Sequence, residues 1–93
     1  MKFYIVGFGE RTTRETRYPR APVLGDALVH ASNARDALTS VRQAGLIPNP
    51  GDIYVLGGRE AGVYKSDFEV EPWMMSEARD SPGGVYILWR SDE

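Results

Sequence analysis

Most of the apolar positions fall in short continuous or alternating runs, and only one segment has a helical period. Residues 2–8 (KFYIVGF) are β-branched and aromatic, which predicts a strand at the start of the chain. Residues 9–18 stay polar and carry Thr12, Thr13 and Thr16, which favour an extended chain, until Pro19 and Pro22 end any ladder. A mobile arm or long hairpin over residues 9–24 is the expectation. Residues 27–31 (ALVHA) read as a second strand. In the next stretch Ala34, Ala37, Leu38, Val41 and Ala44 recur at 3.6-residue spacing and form one apolar stripe. Asn33 is a natural N-cap with Asp36 three residues on, Gly45 suits a left-handed stop, and Pro48 follows. The spacing predicts a helix over about 33–44 and no other substantial one.

Beyond it, NPGD (49–52) is a turn, and IYVLG (53–57) is apolar on both faces, the pattern of an interior strand. GGREAG is a loop. DFEVE (67–71) alternates, with Phe68 and Val70 on one face and Asp67, Glu69 and Glu71 on the other, as in a half-exposed strand. PWMMSEARD is ambiguous, with one helical turn as an option, SPGG (81–84) is a turn, and VYILWR (85–90) is a strand. The sum is an α+β fold: a mixed or antiparallel sheet of four to five strands with one main helix packed on one face.

Composition narrows the class. A chain of 93 residues that is 42% hydrophobic suits one small globular domain. Cysteine is absent, which removes disulfides, thiol chemistry and Cys-based zinc sites. No apolar run approaches a membrane span or a signal-peptide core, so a cytoplasmic protein, of host or phage origin, is expected. Net charge is −2 but uneven: residues 1–20 sum to +3 and residues 60–93 to −5. Nine of the eleven basic residues are arginine, the side chain suited to planar, bidentate or stacked contacts.

Candidate chemistry is sparse. Gly7-Phe8-Gly9 after a strand suggests a dinucleotide-binding turn, but Thr12 stands where the third glycine belongs and no helix pattern follows. These glycines read as sites where a strand bends or bulges. His30, the one histidine, lies mid-strand without partners for a metal site or a nucleophilic triad. Asp67, Glu69 and Glu71 form an acidic face without a calcium-loop glycine. Trp73, Met74 and Met75 are consecutive, so they cannot all face one core, and Trp and Met are favoured at partner-binding surfaces. Arg11, Arg14, Arg17 and Arg20 recur every third residue, a spacing that defines one stripe in neither a helix nor a strand. They read as an arginine-bearing arm that meets an acidic surface, either a partner's or the chain's own.

Residues 28–56 (LVHASNARDALTSVRQAGLIPNPGDIYVL) give a strand carrying His30, a helix leaving through Gly45-Leu46-Ile47-Pro48, and a further strand. This resembles the opening of ADP-ribosyltransferase-like domains, including the RNA 2′-phosphotransferases, and Glu69-Val70-Glu71 is similar to the Glu-x-Glu of one branch. The resemblance implies NAD as cofactor, with His30 holding the nicotinamide ribose and Glu71 as catalytic acid. The residues themselves favour a different class: a non-enzymatic interaction module that needs no cofactor or metal and binds a protein partner or a second copy of itself. Its contacts would be Arg11, Arg14, Arg17 and Arg20, the Trp73–Met75 patch and the acidic face. A reduced NAD-binding domain is the alternative, and a weak nucleic-acid binder is a third reading, disfavoured by the sequence pI of 5.4.

Overall fold

The computed structural model describes residues 1–10, 23–56, 59–61 and 70–91. The arm arginines Arg11, Arg14, Arg17 and Arg20, and the acidic residues Asp67 and Glu69, lie outside them. Among the described residues five antiparallel strands form an open sheet: β1 (Lys2–Glu10), β2 (Val23–Ala31), β3 (Ile53–Val55), β4 (Arg59–Glu60) and β5 (Val85–Arg90). The order is β3-β1-β2-β5, and β4 pairs β1 beside β3. β1 and β2 are the long central pair, running in register from Lys2 opposite Ala31 to Phe8 opposite Gly25. Both extend further than the apolar runs alone suggest, to Glu10 and back to Val23, because ladder pairing carries the strands past their apolar residues.

β2 and β3 are each antiparallel to β1, so they run parallel with β1 between them. The helix α1 (Ala34–Gln43) makes that crossover, a split β-α-β unit. Its entry is as the sequence predicts: Asn33 is extended, and its Oδ1 accepts from the Asp36 amide at 2.9 Å. Gly45 takes φ +69° just past the last turn, where a side chain would be strained. Asn33→Ala should cost about 1 kcal/mol of stability, read by urea denaturation.

A second helix corrects the one-helix expectation. PWMMSEARD folds as α2 (Pro72–Asp80), more than two turns long, with Pro72 in its first turn. Val70 and Glu71, expected on a strand, lead into α2, and Glu71 is its N-cap residue. α2 lies against β2 and β5 on the sheet face opposite α1.

The sheet is therefore apolar on both sides. Tyr4, Val6, Phe8, Ala27 and Val29 meet Ala37 and Val41 of α1. Ile5 and Leu28 meet Ala78 of α2, with Met74, Met75, Tyr86 and Leu88 packed around them. This explains why β1 is buried from Tyr4 to Gly9 without alternation.

β3 is a second correction. Among the described residues it sits at the sheet edge, not in the interior, and spans three residues. Its two apolar faces have separate reasons. Ile53 and Val55 pack on the α1 core, while the ring of Tyr54 lies across the place where Gly9 has no Cβ. Pairing shifts register between Phe8 and Gly9 and again between Asp26 and Ala27. At the first irregularity the extra residue is Leu24 of β2, opposite Phe8 and Gly9, so Gly7 and Gly9 lie within an antiparallel strand and not in a dinucleotide-binding turn.

Candidate functional site

α2 presents the Trp73–Met75 run. At 100° per residue, three successive side chains sweep most of the helix circumference. Met74 and Met75 turn inward and pack, half-buried, on the Ile5–Leu28–Ala78 cluster. Trp73 turns outward and is 52% exposed. Its ring meets Tyr86 edge-on, with centroids 6.1 Å apart and planes at 78°. Its Nε1–H donates to the Glu71 carboxylate. Two contacts from different elements thus fix a large, amphipathic, solvent-facing ring, the kind of anchor that carries energy in protein interfaces. Of the three expected patch residues, the structure leaves one on the surface and places Glu71 of the acidic set beside it.

His30 lies on β2, stacked on Phe3 with centroids 4.7 Å apart and planes at 31°. It lines a cleft of about 310 Å³ with Ser32, Asp36, Ser40, Arg79 and Gly83–Gly84. Arg79 is at the C-terminal end of α2, and Glu71 stands just before the other end. The helix has nine residues, so about 13 Å of axis separates the two ends. His30 and Glu71, paired by the ADP-ribosyltransferase resemblance, are not brought together.

The remaining polar groups in the sheet hold structure. Asp26 Oδ2 accepts from Trp89 Nε1 at 2.7 Å. Arg90 Nη2 donates to the Leu46 carbonyl at 2.7 Å, and the same guanidinium stands 5.8 Å over the Phe8 ring. Lys2–Glu60 at 3.6 Å and Arg79–Asp80 at 3.4 Å are exposed pairs, a type that contributes little. Among the described residues no group of three or more His, Asp or Glu could hold a metal ion, and no helix is long and apolar enough to cross a membrane.

Sequence reasoning missed the cleft. Asp36 read as the capping partner of Asn33, Ser40 carried no reading, and Gly83–Gly84 read as a turn. Only the fold sets that turn against α1. No protein-family model matches the sequence, and no curated protein or solved structure matches it either, so the site stands on its own geometry.

Proposed function

We propose that this chain is a small non-enzymatic protein-interaction module, a cytoplasmic accessory protein that binds a protein partner or a second copy of itself. The observation that carries the reading is Trp73: half-exposed at the start of α2, yet oriented by Tyr86 and Glu71. An aromatic ring held in place before contact loses little entropy on binding, the property that makes tryptophan a frequent hot-spot residue. The uneven charge supports the same class, with an arginine-bearing segment at one end of the sequence and an acidic one at the other. In this reading Trp73 anchors the contact and the arginines set approach and orientation.

Replacing Arg11, Arg14 and Arg17 together by Ala tests the second role. Association should slow and lose its salt dependence, as followed by surface plasmon resonance against the captured partner, while the melting temperature stays unchanged. Salt-independent association of the wild type would remove the arginines from the account.

A further inference from the structure

Trp73 stands among carboxylates. Residues 66–78 hold four acids and no lysine or arginine. Two of these acids flank the ring. Glu71 accepts the Nε1–H of Trp73, and its second oxygen has no partner among the described residues. Glu77 follows Trp73 by about one helical turn, so the two side chains share a face of α2, and both are exposed. No described cation covers this face. The ion pairs among the described residues are Lys2–Glu60 and Arg79–Asp80, and the cation over a ring is Arg90 on Phe8. A fixed indole between two carboxylates with acceptor positions to spare is matched best by arginine. The flat guanidinium stacks on the ring while its N–H edge donates to the carboxylates. A lysine ammonium supplies the charge without the flat stack.

The chain carries the complement itself: residues 11–22, between β1 and β2, hold four arginines and one acid. β1 delivers the chain to that segment far from Trp73. Trp73 meets Tyr86, Tyr86 pairs with Leu28, and Leu28 pairs with Ile5. From Ile5 the strand runs five residues further to Glu10, about 17 Å, and β2 begins at the same end of the sheet. We infer that Trp73, Glu71 and Glu77 receive an arginine from residues 11–20 of a second copy of this chain, in a two-fold dimer. An antiparallel two-fold pair brings the β1 end of each chain beside α2 of the other. The contact is then made twice and the assembly closes at two copies. This rests on Trp73 being the interaction anchor proposed above, and it names the occupant.

Two variants divide the contact. One loses the receiving face, by Glu71→Gln, Trp73→Ala and Glu77→Gln together. The other has Ala in place of Arg11, Arg14, Arg17 and Arg20. Sedimentation velocity is run on each whole chain and on their equimolar mixture, with circular dichroism confirming the fold. The wild type should be a dimer and each variant alone a monomer. The mixture should dimerise again through the one contact left intact, at least tenfold more weakly than the wild type. If the triple variant unfolds, Glu71→Gln with Glu77→Gln keeps the ring and its packing, and the same pattern is expected. Lysine at all four arginine positions should weaken the dimer roughly tenfold. A mixture that stays monomeric, or a lysine variant that dimerises as tightly as the parent, would overturn the inference. A monomeric wild type would overturn it too, yet Trp73 would remain the anchor if Trp73→Ala still abolished capture of another protein.

Discussion

Phe8→Ala should lower the unfolding free energy by about 3–5 kcal/mol, the range for removing a fully enclosed aromatic ring. Phe8 is fully buried and is the largest side chain among the described residues to be so. Its ring supports three elements at once. It packs in the α1 core, approaches the glycine backbone of β2 at Gly25, and lies under the Arg90 guanidinium at the end of β5. Alanine leaves a cavity that backbone pairing on both sides of β1 prevents from closing. For a domain of this size the melting temperature should fall by on the order of 15 °C or more. Thermal denaturation followed by circular dichroism reads it. A loss below about 1 kcal/mol would mean that the α1 core does not close around this ring.

Gly25→Ala is the second large effect, in the opposite steric sense. An added Cβ would collide with the Trp89 carbonyl oxygen on the neighbouring strand and come 2.9 Å from the Phe8 ring. The first neighbour is backbone and the second is enclosed, so neither can move without disturbing β2–β5 pairing or the core. The expected cost is about 3 kcal/mol, at the upper end for over-packing. Gly51→Ala is the matched control. Its Cβ would meet only Asn49 Oδ1, at 3.5 Å, so its stability should stay within about 0.5 kcal/mol of the parent. Urea denaturation of the pair separates close backbone approach from the general cost of a glycine substitution. Equal midpoints for the two variants would contradict the sheet geometry at Gly25.

The same residues show how far the sequence could be read. α1 was legible because three independent signals agree: Asn33 at the cap, the Ala37–Val41 stripe and Gly45 at the stop. α2 was not, because its signals conflict. Glu71 makes no side-chain cap to the helix amides, the apolar residues crowd into three adjacent positions, and the one fully buried residue is Ala78, too small to register as a pattern. That hidden helix is why a one-sided sheet was expected. β3 was misplaced for a related reason. Apolar residues on both faces signal an interior strand only if the neighbours are ordinary, and here Tyr54 covers a glycine on the adjacent strand.

The site was legible in part. Three consecutive bulky residues had to include an exposed one, but only the packing of Met74 and Met75 on Leu28 and Ile5 identifies it as Trp73. The Tyr86 and Glu71 contacts that orient its ring come from β5 and from the residue just before α2, and no local pattern in the sequence couples them. The cleft at His30 was invisible because its walls, α1 and the Pro82–Gly84 turn, lie far apart in the sequence and meet only in the fold.

Capture with and without the Trp73 ring tests the functional reading most directly. The immobilised wild-type chain and its Trp73→Ala variant, shown by circular dichroism to be equally folded, are exposed to lysate of the source organism, and retained proteins are quantified by mass spectrometry. Sedimentation velocity of both chains reads self-association in parallel. The account predicts either one partner retained by the wild type and depleted at least tenfold by Trp73→Ala, or a dimer that the variant dissociates. The same retained proteins at the same levels, with the same sedimentation for both chains, would contradict it.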